Sequence, residues 1–266
     1  MTRLLSLATG SLPEFSPVEV VEAAAEAGWE ACGIWFDATT WTARTTRETR
    51  AAFERHGLLP LDIEVVWIRP GGPDPAHERL LEAGAEIGAR NVLVVSSDPD
   101  IESTKRRFAE ICVIAGRCGL DACLEFLPIT EVRTLDAALE VIRAVDHPRA
   151  RLLVDALHLR RSGGSPEQLH GLPAGLFSYA QICDAPAELQ PMDHETLLYE
   201  AIDGRLLPGE GALPLRRLLE VLPADLPLAP EQRSRALRER YPVAAERAAA
   251  ILAATRQFLA AGGRVG

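Results

Sequence analysis

Eight short apolar runs recur along the chain at intervals of roughly 30 residues, beginning near Leu4, Cys32, Leu61, Asn91, Asp121, Arg151, Ser178 and Leu226. Each is followed by a segment long enough for a helix. Alternation of this kind is the sequence form of repeated βα units, and it points to a parallel sheet covered by helices. Eight such units in 266 residues match the usual size of one eight-fold barrel. The chain therefore reads as an α/β protein with a (β/α)8 TIM-barrel fold, a single domain over residues 1–266. A doubly wound open sheet uses the same units and is the alternative, but it would ordinarily carry a glycine-rich first turn for a nucleotide. That turn here reads Ala8-Thr9-Gly10-Ser11-Leu12-Pro13, and no GxGxxG or Walker motif occurs.

Local signals agree with the units. Ser16 and Pro17 open a first helix that runs to Gly28, and Gly57, Gly88 and Gly119 stop helices over Thr46 to His56, Pro75 to Ile87 and Ile101 to Cys118. Asn91 to Val95 is apolar without alternation, as a strand buried on both faces requires. Other strands are predicted at Arg3 to Ala8, Cys32 to Phe36, Leu61 to Trp67, Cys123 to Phe126, Leu152 to Val154, Tyr179 to Cys183 and Leu226 to Pro230. Helices are predicted over Thr134 to Val145, near Pro166 after the turn Arg161 to Gly164, and from about Val243 to Ala261, with a short tail after Gly262-Gly263. One connection is long: residues 184–213 are mostly polar and hold Pro186, Pro191, Pro208, Gly209 and Gly211. Loops of that length in a compact domain tend to be lids or binding loops.

The net charge of −10 disfavours a phosphate-backbone partner, so no nucleic acid is expected. Cys32, Cys112, Cys118, Cys123 and Cys183 are odd in number and form no CxxC pair, which reads as reduced thiols in a cytoplasmic protein. Met1-Thr2-Arg3-Leu4 leads directly into a strand without a secretory h-region, and no apolar stretch reaches membrane-spanning length.

In a barrel of parallel strands the C-terminal ends converge on one mouth. Polar residues close the last four runs: Glu125 in Leu-Glu-Phe, Asp155, Gln181 and Glu231. Three carboxylates pointing into one pocket repel one another, and a divalent cation is the simplest compensation. Oxygen donors favour Mg2+ or Mn2+, with Co2+ and Zn2+ as alternatives. The competing reading is that each acid caps a helix or pairs with an arginine. His158 lies three positions after Asp155 and faces the same mouth, while Arg205, in Arg205-Leu206-Leu207-Pro208-Gly209-Glu210-Gly211, is placed to reach over it. Trp35, Phe36, Trp41 and Trp67 gather at or beyond the second and third strand ends, either as an apolar wall for a ligand or as barrel packing.

On these residues the chain resembles the xylose isomerase-like TIM-barrel superfamily, and within it the sugar phosphate isomerase/epimerase group. That group includes ketose 3-epimerases, hydroxypyruvate isomerase, inosose dehydratase and a 3-dehydroshikimate dehydratase. The markers are the Glu of Leu124-Glu125-Phe126, Asp155-x-x-His158, Asp184-Ala185-Pro186, Arg205 with Pro208-Gly209-Glu210-Gly211, and Glu231 on the last strand. The resemblance implies that Glu125, Asp155, Gln181 and Glu231 hold a divalent metal and that His158 and Arg205 contact substrate oxygens. Gln181 departs from the pattern, since members usually place a histidine there. An endonuclease IV branch of the superfamily uses a three-zinc site rich in histidines, which this chain lacks at its strand ends.

The implied activity is a metal-dependent sugar or keto-polyol isomerase or epimerase of carbohydrate metabolism, working by proton abstraction next to a carbonyl through an enediolate, with Glu125 and Glu231 as base and acid. A dehydratase of a keto-cyclitol or dehydroshikimate-like substrate shares the first half of that reaction and is the rival. A non-catalytic ligand-binding barrel is the third reading. The expected partner is a small polyhydroxylated molecule, with Trp35 and Trp67 beside it, and barrel-mouth loops of this kind are often completed by a second copy in a homo-oligomer.

Overall fold

Period-two alternation within apolar strands gives each strand two different buried faces, and this sets the architecture. The computed structural model describes residues 3–262. Its strands are β1 (Ser6–Leu7), β2 (Ala31–Trp35), β3 (Leu59–Ile68), β4 (Asn91–Ser96), β5 (Asp121–Glu125), β6 (Ala150–Asp155), β7 (Phe177–Ile182) and β8 (Leu228–Pro230). They form one eight-stranded sheet in sequence order, every neighbouring pair parallel. The sheet closes where Leu5 bridges Leu228 in parallel, with Leu228 N–H donating to Leu4 O at 2.9 Å and Ala8 N–H to Pro230 O at 3.3 Å. The fold is a TIM barrel, as the eight runs predict.

Helices α1 (Pro17–Ala27), α2 (Ala43–His56), α3 (Pro75–Ile87), α4 (Ile101–Cys118) and α5 (Leu135–Val145) follow β1 to β5, and α6 (Ala156–Arg161) follows β6 directly. Behind β7 come α7 (His194–Asp203) and α8 (Leu215–Val221), and behind β8 come α9 (Arg235–Arg240) and α10 (Ala244–Gly262). Val92 and Val94 face the helix layer, packing in one cluster with Phe108 and Leu81, whereas Leu93 and Val95 face the lumen with Ala31, Leu61, Cys123, Leu153 and Tyr179. The interior is thus filled with side chains rather than open. Close helix–strand approach is marked at Gly84, where an added Cβ would stand 2.8 Å from Ile63 Cγ2.

Several elements differ from the sequence reading. Residues 184–213 are not one continuous loop, because α7 lies within them, started by the Asp193 side chain accepting from Thr196 N–H at 3.0 Å. The strand at Asp155 passes straight into α6, so His158 sits on a helix and not in a loop. Between β8 and the last helix, α9 is an additional short helix capped by Ser234. Strand β3 is longer than predicted at both ends, and α2 starts earlier, at Ala43, behind a Thr42 cap. Met1, Thr2 and the tail after Gly262 lie outside the described residues. All five cysteines are free thiols, and among the described residues no helix is long and apolar enough to cross a membrane.

Candidate metal and catalytic site

The register of the sheet brings the strand-end residues together. Asp155 pairs with Gln181 across β6 and β7, Gln181 with Ala229 across β7 and β8, and Glu125 with Leu153 across β5 and β6. Glu125, Asp155, Gln181 and Glu231 are all buried, so burial alone resists ionising the three carboxyls there. Ligand atoms of Glu125, Asp155 and His158 lie within 4.8 Å of one another. Asp155 is fixed from two sides. Its Oδ1 accepts the first free N–H groups of α6, from Leu157 at 2.7 Å and His158 at 3.0 Å, and its Oδ2 meets Arg205 Nη1 at 2.6 Å.

Arg205 is not a solvated loop residue. It is 2% exposed, bridges Asp155 to Glu231 (Nη2–Oε2 2.9 Å), donates from Nε to Ala201 O at 3.0 Å and lies 3.3 Å from His158 Nε2. Burial disfavours ionising Asp155, but the Arg205 guanidinium and His158 outweigh it and hold that carboxyl below its usual range. Glu125 behaves oppositely: burial first, then the charges of Asp155 and Glu231, push its carboxyl well above the ordinary value. His158 is driven down to about 4 by burial, against the pull of Asp155, and so is neutral at neutral pH. A neutral imidazole can offer a lone pair to a cation.

The donor set fits a divalent ion. Glu125 Oε1 and both ends of the Gln181 amide are buried without a hydrogen-bond partner, and unsatisfied oxygens of this kind are what a cation would complete. The tight group contains His158, given in the sequence reading only as a substrate contact, while Glu231 is engaged by Arg205.

Two acids missed by the sequence reading share this lumen. Asp62 and Glu64, on β3, are 0% and 2% exposed, and both Asp62 oxygens lack a conventional partner. Asp62 lies over Gly33, where an added Cβ would come within 2.8 Å of its Oδ1. Burial pushes Asp62 up to about 7, eased by a hydrogen bond with Glu64 and reinforced by Glu231. Burial, with Asp62 and Glu231 nearby, drives Glu64 well above the ordinary carboxyl range, so the pair retains a proton at neutral pH. The available signal was two acids inside a predicted strand that ought to be buried on both faces.

Residues 21–253 match the family model described as xylose isomerase-like TIM barrel. The chain belongs to that family.

Among solved structures, a xylose isomerase-like TIM barrel/4-hydroxyphenylpyruvate dioxygenase fusion protein superposes with a TM-score of 0.82 at 23% identity, covering 96% of this chain. The chain spans only 42% of that fusion protein. The IolI protein with a binding zinc atom gives a TM-score of 0.79 at 18% identity, over 98% of this chain and 99% of its own. The 3-keto-D-glucoside 4-epimerase YcjR of E. coli gives 0.69 at 18% identity, over 96% and 100%. D-allulose and D-psicose 3-epimerases and a probable 3-DHS dehydratase of Bacillus anthracis share the fold as well. No curated protein matches the chain by sequence.

In this xylose isomerase-like barrel the aromatic residues divide between two hollows. Trp35, 42% exposed, and Trp41 line a cavity of about 580 Å3 together with Gly10, Phe15, Asp37 and Arg233. Trp35 and Trp67 border a smaller one of about 230 Å3. Trp67 is held there by its indole N–H donating to Ser97 Oγ at 2.9 Å and by the Arg69 guanidinium 5.0 Å from its ring centroid. Phe36 serves packing: it is buried and its ring lies 4.8 Å from that of Trp41.

Proposed function

We propose that the protein is a metal-dependent isomerase or epimerase of a polyhydroxylated carbonyl compound. The observation that carries this reading is that Glu125 ends β5 and Asp155 ends β6, while Gln181 is next to last on β7 and Glu231 directly follows β8, four neighbouring strands at one mouth. Glu125, Asp155, Gln181 and Glu231, with His158 added by its position, would hold a divalent ion. The oxygen-rich set favours Mg2+ or Mn2+, and the imidazole also admits Co2+ or Zn2+. When bound, such an ion supplies Lewis acidity toward neighbouring carbonyl and hydroxyl oxygens.

The chain's own groups move the proton. Glu231, set against the Arg205 guanidinium, is the base that takes the proton from carbon beside the carbonyl, the C–H electron pair passing into an enediolate. Glu125, at the end of β5 on the other side of the site, is the acid that returns a proton to the opposite face or to the adjoining carbon. The net change is inversion at one carbon or exchange of carbonyl and hydroxyl. Arg205 holds Asp155 and Glu231 in place at the back of the site.

A lyase reading shares the first half. If a β-hydroxyl takes a proton from Glu125 and departs as water, the same pair performs dehydration. Incubating Mn2+-loaded protein in deuterium oxide with ketoses and keto-inositols separates the readings. Deuterium gained without loss of water indicates isomerase or epimerase, and loss of water indicates lyase. Absence of both in every substrate, together with no metal uptake by elemental analysis, would leave a non-catalytic binding barrel.

A further inference from the structure

Arg205 spans Asp155 and Glu231 only while its own stem is held, and what holds it lies outside the carboxylate site. Its Nε donates to Ala201 O, in the last turn of α7, at 3.0 Å, and its backbone N–H donates to Arg233 O at 3.1 Å. The aim of the guanidinium therefore depends on where α7 sits. Apolar packing supplies little of that placement. Leu198, Tyr199 and Ile202 are exposed, and the buried residues of the helix are Glu200 and Ala201.

Glu200 is fixed by Arg161. Arg161 Nε meets Glu200 Oε2 and Nη2 meets Oε1, both at 2.6 Å, a parallel two-bond fork between side chains that are each 4% exposed. The same guanidinium donates to Pro186 O at 2.8 Å and Ala187 O at 3.5 Å, so it also gathers in the segment that leads to α7. Against Glu200, Gly204 leaves no room for a side chain, since a Cβ there would stand 2.9 Å from Glu200 Cα.

Arg161 is the last residue of α6, the helix that carries His158 and is capped by Asp155. Two buried pairs thus tie α6 to the α7 segment with opposite polarity. The α6 segment gives the acid Asp155 and then Arg161, and the α7 segment gives the acid Glu200 and then Arg205. The links close a circuit from Asp155 along α6 to Arg161, across to Glu200, through Ala201 to Arg205, and back to Asp155. In such a network the loss of one link is felt at the next, and a double-mutant cycle measures how strongly.

We propose that Arg161 and Glu200 are positioning residues: their pair sets α7 so that Arg205 reaches both Asp155 and Glu231, and through Arg205 it governs how freely those carboxylates turn to a cation. Their own side-chain hydrogen bonds all lie outside the carboxylate site. The positioning of Arg205 stands on the geometry, and the effect on a cation rests on the proposed function.

A double-mutant cycle between Glu200→Gln and Arg205→Met, read by urea denaturation in EDTA and by calorimetric titration with Mn2+, tests both parts. Glu200→Gln should lower the urea midpoint of the wild type, and in the Arg205→Met background it should lower it by no more than about half as much, because part of the damage acts through Arg205. Mn2+ should bind Glu200→Gln about fivefold more tightly than the wild type, in the same direction as Arg205→Met, since the carboxylates shed a competing cation. The double variant should bind no tighter than Arg205→Met alone. Arg161→Lys keeps the charge but loses the fork, so it should act the same way more weakly, and it takes the place of Glu200→Gln if that variant does not fold. A merely structural pair would give additive losses and leave Mn2+ affinity alone. Additive losses overturn the inference, and so does a wild type that binds Mn2+ with an affinity that neither variant raises. A wild type that takes up no Mn2+ while the losses stay non-additive sinks the proposed function and leaves the positioning role standing, whereas Mn2+ binding with additive losses does the reverse.

Discussion

Replacing Arg205 with methionine tests the electrostatic frame of the site without needing a substrate. The guanidinium is 2% exposed and holds Asp155 at 2.6 Å and Glu231 at 2.9 Å. Methionine keeps most of the volume, so the loss is charge and hydrogen bonding rather than a cavity. Asp155 keeps its two backbone donors on Oδ1, but its Oδ2 and Glu231 Oε2 lose their cation, beside an already crowded Glu125. Removing one partner of a buried pair costs about 3–5 kcal/mol. At roughly 2–4 °C per kcal/mol for a chain of this size, Tm should fall by about 6–20 °C in EDTA at pH 8. The pH dependence has a definite sign. In the wild type Asp155 is held below its usual range, a contribution present above the unfolded-state value near ~3.9 and lost as pH falls through the folded one. The variant lacks it, and its carboxylates relieve themselves by taking up protons, so the gap between the two proteins should narrow from pH 8 toward pH 4. Added Mn2+ should restore part of the loss, because a cation replaces a cation. Urea denaturation across that pH range, with and without metal, measures all three effects. A loss under about 1 kcal/mol at pH 8, or one that is the same at every pH, would refute the reasoning.

Gly10→Ala should displace Glu231 by about an ångström, lowering turnover on the order of a hundredfold with little change in Tm; wild-type rates would show that Glu231 is not positioned against residue 10. For Asp62, whose folded value near 7 exceeds the unfolded one, stability is greatest at low pH and falls as pH rises from about 4 to about 7. Asp62→Asn should therefore be more stable than wild type at pH 8, on the order of a few kcal/mol, with the difference shrinking by pH 5; chemical denaturation showing no gain at pH 8 would count against the buried pair. Gln181→His should shift metal preference from Mg2+ toward Zn2+ and Co2+, read by competitive dialysis and elemental analysis. An unchanged order of affinities would show that residue 181 does not face the ion.

The barrel was legible because its signal is repetitive: a strand end such as Leu153-Val154-Asp155 has the same form as Leu124-Glu125, and eight repetitions leave few folds to choose from. Individual contacts were less legible. Arg205 lies in a stretch rich in proline and glycine, and nothing local reveals that β6 and β8 supply two carboxylates to bury it. Helix α7 was hidden by its flanking prolines, although Asp193 and Thr196 spell a capping box. Asp62 and Glu64 passed unnoticed inside the third strand, although a barrel strand has no wet face on which to leave two acids. His158 stood out by its spacing from Asp155, but the short helix that turns it toward Glu125 is set by the Asp155 cap itself, which only the folded chain displays.

The wall of this cylinder is uneven. β3 runs for 10 residues, yet the ring is fastened shut between a strand of 2 residues and one of 3. Thermal breathing is greatest where the lacing is thinnest, and that stave is the one bearing Gly10 on one edge and Glu231 on the other. Glu231 thus stands beside the join of the hoop that is laced by the fewest backbone hydrogen-bonding residues.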